Sequence, residues 1–162
     1  MTIKVVAAAF FVAASLAGGA AVAAEPTQLD PAALAYKLPA QIDWRGDPAE
    51  GVQSAVLVGD PSKPGLYVML VKWLPHHMSR PHWHPNDRYV VVMSGVWWVA
   101  TGWTYDPDHT TPIPAGSFVT HFAKQIHYDG AKDEPAVLEI VGEGPATAIP
   151  AQERLRGSTA YS

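Results

Sequence analysis

The chain has 162 residues and no cysteine, and its 11 basic and 15 acidic side chains give a formal net charge of −4. Without cysteine there are no disulfides, no thiolate chemistry and no Cys-ligated zinc, so an apolar core has to hold the fold. No basic run occurs, which argues against nucleic acid or an anionic lipid surface as partner.

In chain order, Lys4 precedes an apolar stretch from Val5 to Leu16, and Ala17-Gly18-Gly19-Ala20-Ala21-Val22-Ala23-Ala24 leads into Glu25-Pro26. One positive charge, a short apolar core and a small-residue end predict a cleavable signal peptide over residues 1–24. The apolar run is too short and alanine-rich for a membrane span, so no span is expected after cleavage. Loss of Lys4 takes the 11 basic residues to 10 against 15 acidic ones. About 138 residues remain, enough for one domain with its own core. The expected destination is the bacterial periplasm, with full secretion as the alternative.

Residues 25–39 read as an N-terminal extension, in which Asp30 would cap one or two helical turns with Pro31 at the first helical position. Long helical periodicity is absent beyond it. Short strand-like runs follow instead: Val52 to Val58, Leu66 to Leu74, Tyr89 to Met93, Val96 to Thr101, Phe118 to Phe122 and Ala136 to Val141. Turn residues such as Gly59-Asp60-Pro61, Lys63-Pro64-Gly65 and Ser94-Gly95 separate them, and Asp106 to Pro114 reads as a loop. Regular short strands predict an all-β sandwich or barrel over residues 40–149, followed by a polar tail over 150–162.

Seven histidines are unevenly spread. His82 and His84 flank Trp83, so on a strand both rings point one way and Trp83 the other. Two imidazoles on one face are the minimum that one strand contributes to a metal site. The bland alternative is a turn-proximal pair, one ring solvated and one bonded to backbone. His127 would complete a three-nitrogen face if its strand lies beside that pair. His121 falls on the same face as Val119 and reads as a core or second-layer histidine. His76 and His77 read as loop residues at a pocket rim, and His109 as part of a polar loop.

On these histidines and the residues around them, the chain resembles a small single-domain cupin. That family's first motif has a histidine pair, a glutamate a few residues on, and a glycine seven residues after the glutamate. His82, His84 and Gly95 match it, and Arg88 stands in the glutamate's place. In the second motif Gly116 matches the opening glycine and His127 the histidine. Phe122, Lys124 and Ala131 stand where proline, a second glycine and asparagine are usual. The likeness spans roughly residues 40 to 145. It implies a cupin-type antiparallel β-barrel, a double-stranded jelly roll, with a divalent transition metal (Fe, Mn, Ni, Zn or Co) on His82, His84 and His127. It also implies a homodimer formed through sheet faces.

Arginine in the glutamate position opens two readings. In one, a three-histidine metal site survives, as in the thiol dioxygenase branch of the superfamily, and Arg88 pairs with Asp87 or grips an anionic substrate. The site would then act on a small anionic molecule as an oxygenase, lyase or isomerase, with Arg88 and His121 as the catalytic candidates and His121 a fourth ligand or a donor behind the metal. In the other, the metal is lost, Arg88 fills its pocket or meets Asp129 or Glu139, and the protein is a metal-free periplasmic binding or sensing module. A nickel- or copper-chaperone role drawing on His76 and His77 is a third option. Trp73, Trp83, Trp97, Trp98, Trp103 and Tyr89 either line an aromatic pocket or plug the barrel and cover a dimer face. Trp97 and Trp98 are adjacent, so at most one of them faces inward.

Overall fold

The computed structural model describes residues 28–151, so the signal peptide expected over 1–24 and most of the tail expected over 150–162 lie outside the described residues. Contacts divide the chain into two units, Met1–Tyr36 and Lys37–Ser162. In the first, the backbone carbonyl of Asp30 accepts from Ala33 and Leu34 N–H, and its Oδ1 accepts from Ala32 N–H. This is the expected Asp30 cap, closing a single turn.

The second unit is built from strands. The strand-like runs become β1 (Val52–Val58), β2 (Gly65–Trp73), β5 (Arg88–Ser94), β6 (Val96–Thr101), β8 (Phe118–His121) and β10 (Ala136–Gly144). Five more strands complete the set: β3 (His77–Met78), β4 (His82–Trp83), β7 (Thr111–Pro114), β9 (His127–Ala131) and β11 (Ile149–Pro150). Part of the expected 106–114 loop is therefore strand, because Thr111–Pro114 pairs with the edge of β6. Ile149 and Pro150 likewise belong to the sheet, where they pair with Trp83 and His82.

Two antiparallel sheets face one another. The first has the order β1-β2-β10-β5-β8 and the second β11-β4-β9-β6-β7, with β3 also paired to β9. Sequence neighbours such as β8 and β9 lie in different sheets, as in a jelly roll. Alternation along β5 shows how the core forms: Val90 and Val92 turn inward and are buried, while Tyr89, Val91 and Met93 stay exposed on the outer face. Tyr67, Trp97, Leu138 and Ile140 pack against these valines. Trp97 is fully buried, whereas its neighbour Trp98 points outward under the Lys132 ammonium.

Backbone conformation accounts for two motif positions. Gly95 has φ +72°, and a Cβ there would stand 2.1 Å from the Pro135 carbonyl oxygen. Lys124, in the place of the usual second-motif glycine, adopts a left-handed φ of 63°. Its N–H donates to the His84 carbonyl at 2.8 Å, which ties the turn to the histidine segment. The degenerate motif thus keeps the backbone shape that glycine usually supplies.

Candidate metal and anion site

His82 lies directly opposite His127 in the β4–β9 pairing, so both rings project from one face of the second sheet. His84, two residues beyond His82, falls on that side as well. The His82 ring centroid is 4.5 Å from that of His127 and 4.9 Å from that of His84. One candidate ligand atom from each of the three rings lies within 4.8 Å of the other two. The three imidazoles expected to converge do so.

Hydrogen bonds set which nitrogen each ring offers. Nδ1 of His82 contacts the Arg80 carbonyl at 2.8 Å, Nδ1 of His84 the Thr147 carbonyl at 3.1 Å, and Nδ1 of His127 the Gln125 carbonyl at 3.2 Å. A carbonyl only accepts, so each Nδ1 carries the proton and each Nε2 is left with its lone pair. Nε2 of His84 and of His127 is buried without a partner. Burial pushes His84 down to about 2, helped by the Arg88, His82 and His127 charges. It pushes His127 down to about 4, with the Asp129 carboxylate pulling the other way. Neutral imidazoles with inward lone pairs are the donor set a borderline divalent metal takes, and backbone partners at Nδ1 are the usual outer support. The residues fit the metal that the cupin resemblance implies.

Arg88 is placed by β5, opposite His121 on β8 and Gly142 on β10. Its Nη2 donates to His121 Nδ1 at 3.0 Å, and no hydrogen bond joins it to Nε2 of His84 or His127. The metal position is therefore not sealed by an Arg88 bond. Asp87, one expected partner, instead accepts from Ala123 N–H at 2.6 Å through Oδ1. Glu139 is out of reach as well, because it alternates with buried Leu138 and Ile140 and lies on the outer face beside Trp44 and Met93. The acidic group that acts on Arg88 is Asp129. Burial lowers the guanidinium's affinity for its proton, and the Asp129 charge and Tyr67 hold it up.

The sequence points to Asp129 only as a partner for Arg88, whereas the structure also anchors it on three side-chain donors. Lying two residues after His127, it shares that ring's face. Its Oδ2 accepts from Trp73 Nε1 at 3.1 Å and Trp97 Nε1 at 2.9 Å, and its Oδ1 from Ser79 Oγ at 3.2 Å. Two of the tryptophans are thus committed to a buried carboxylate. The i+2 spacing from His127 is the signal that could have marked it. His77 seats its ring over Gly51, where a Cβ would stand 1.8 Å from it, and its Nδ1 is bonded to the Pro75 carbonyl at 2.8 Å. Neither His76 nor His77 belongs to the three-histidine group. His109 pairs with Asp106 at 2.9 Å in an exposed loop.

His82, His84, Arg88, His121 and Asp129 line one cavity of about 360 Å³, to which the exposed Arg80 also contributes. Comparison with solved structures is decisive for the architecture. The polyketide cyclase RemF from Streptomyces resistomycificus superposes with TM-score 0.58 at 13% identity, covering 73% of this chain and 85% of that one. A cupin-2 domain from Rhodospirillum rubrum gives 0.55 at 16% identity over 85% and 90%. This chain is a cupin by fold. The DMSP lyase DddQ from Ruegeria pomeroyi gives 0.54 at 14% identity, over 69% of this chain and 62% of that one. No family model and no curated protein sequence matches the chain. No helix of the described residues is long and apolar enough to cross a membrane.

Proposed function

We propose that this cupin is an exported protein that binds one divalent transition metal through His82, His84 and His127 and acts on a small anionic molecule gripped by Arg88. The observation that carries the reading is the shared hydrogen-bond pattern: three Nδ1 atoms bonded to backbone carbonyls leave three Nε2 lone pairs within one small volume. A metal bound there would supply Lewis acidity or redox chemistry with dioxygen. The chain's own residues bind and orient the substrate: Arg88 offers it charge and donors from the facing sheet, and the indole-anchored Asp129 limits how much negative charge the cavity accepts. Two structural neighbours are named as a polyketide cyclase and a DMSP lyase, which supports a small-molecule substrate. Oxygenase, lyase and isomerase chemistry all suit an open metal position beside an anion grip.

Elemental analysis of untagged protein tests the reading. Close to one metal per chain, lost in His82→Ala, is expected, and metal-free wild type would end it. Oxygen uptake on small thiols, phenols and keto acids, scored against Arg88→Glu, separates an oxygenase from the other two classes. Export rests on the residue 1–24 pattern and is checked by N-terminal sequencing of protein recovered from the periplasm. Pairing of two copies is supported by the exposed side chains of Leu66, Tyr89, Val91, Met93 and Phe118 on the outer face of the first sheet, and sedimentation would expose a monomer.

A further inference from the structure

Among the described residues, the buried side-chain polar atoms without a hydrogen-bond partner are Trp83 Nε1 and five others that form two chemical kinds. Nε2 of His84 and of His127 are lone pairs that await a cation. The Tyr67 hydroxyl, Arg88 Nε and His121 Nε2 form the second set, and they share one rung of the first sheet. Tyr67 is paired with Gly142, Gly142 with Arg88, and Arg88 with His121, so all these side chains project to the same face. Gly142 leaves the middle of the rung empty. A Cβ there would stand 2.7 Å from the Tyr67 hydroxyl, so only glycine lets that hydroxyl lie against the guanidinium.

The proton on His121 follows from its neighbour. A guanidinium has no acceptor, so the 3.0 Å contact between Arg88 Nη2 and His121 Nδ1 makes that nitrogen the acceptor. In the neutral ring the proton is then on Nε2, the reverse of His82, His84 and His127. Only 7% of His121 is exposed, which disfavours the doubly protonated ring. Nε2–H lines the cavity with nothing to donate to, and its ring centroid is 3.9 Å from that of His127.

We infer that Arg88 and His121, with the Tyr67 hydroxyl set behind the guanidinium, form a subsite for the carboxylate of the bound molecule, His121 being a hydrogen-bond donor to that carboxylate and not a fourth metal ligand. The inference rests on the small-anion reading above and does not require the metal. A monoanion is the class that fits. Arg88 supplies the one guanidinium in the inner wall, Arg80 is exposed, and the Asp129 carboxylate already lines the same cavity. A planar carboxylate also matches the donor geometry of a guanidinium edge.

Long-range proton–nitrogen spectra of metal-free, ¹⁵N-histidine-labelled protein read the tautomers directly. Nε2–H is expected for His121 and Nδ1–H for His82, His84 and His127; Nδ1–H at His121 overturns the donor role. Calorimetric titration of the same protein with sodium acetate, with sodium phosphate in parallel, reads the subsite. Acetate affinity is expected to fall about tenfold in Tyr67→Phe and in His121→Phe, with part recovered in His121→Gln, which restores an N–H near the Nε2 position. Thermal melts establish that Tyr67→Phe is folded. Acetate binding that is absent in wild type, unchanged in both variants, or matched by phosphate overturns the carboxylate assignment. Metal content is measured separately, so a metal-free protein that still binds acetate through this rung loses the metal reading alone.

Discussion

The two walls of the cavity carry histidines of opposite character, although the rings lie only a few ångströms apart. On the second sheet, His82, His84 and His127 each face a backbone carbonyl through Nδ1 and turn a lone pair inward. On the first sheet, His121 faces Arg88 through the same atom and turns a proton inward. The residue type is constant and the role is reversed, because the partner at Nδ1 decides what Nε2 offers. One wall thus presents lone pairs and the other a guanidinium and a ring N–H.

Acid tests both walls together and should have the largest effect. His84 and His121 are pushed down to about 2 and His127 to about 4, from an ordinary value of 6.5. The unfolded chain therefore binds more protons than the folded one below pH 6.5. Stability is complete above that pH and falls as the pH drops through the window, by several kcal/mol in total. Urea titrations of metal-free protein from pH 7.5 to 4.5 measure it; a midpoint that does not move across this range would refute the burial of neutral rings.

His127→Ala breaks the lone-pair wall alone. Metal affinity should fall more than about a hundredfold, beyond the loss that outer partners cause, as followed by competition with a chelator. Acetate affinity of the metal-free protein should change far less. Asp129→Asn acts between the walls by facing two indole N–H groups with a weaker acceptor, at a cost of about 2 kcal/mol in urea unfolding. Gly142→Ala presses a methyl group onto the Tyr67 hydroxyl and should cost about 1–2 kcal/mol, with a matching loss of acetate affinity and no loss of metal. His109→Ala, in an exposed hydrogen-bonded pair with Asp106, should leave the urea midpoint unchanged.

Much of this was legible along the chain. Alternation and turn residues marked the long strands of the first sheet to within a residue or two at most ends, since each buries one face and exposes the other. The short strands β3, β7 and β11 escaped notice, and β4 was marked only by the spacing of its histidines. With two to four residues they carry no period, and they exist because longer neighbours offer open backbone to pair with. His82, His84 and His127 were identified from spacing and motif. Asp129 stood among the acidic candidates for Arg88 and is the one that acts on it, whereas Asp87 and Glu139 are near it only in sequence or by charge. The hydrogen bond to His121 was not identified, because His121 reaches Arg88 through strand pairing.

By itself, then, the amino-acid order determined an all-β cupin barrel with three ligand-type histidines and an arginine where an acid is usual. Local pattern suffices there, because side-chain alternation and a few special backbone angles are properties of neighbouring residues. His82 and His127 take their Nδ1 partners from carbonyls only two residues away. The tertiary structure alone decided the proton positions of His84 and His121, the locking of Asp129 by two indoles and the glycine opening between Tyr67 and Arg88, because those partners come from 30 or more residues away.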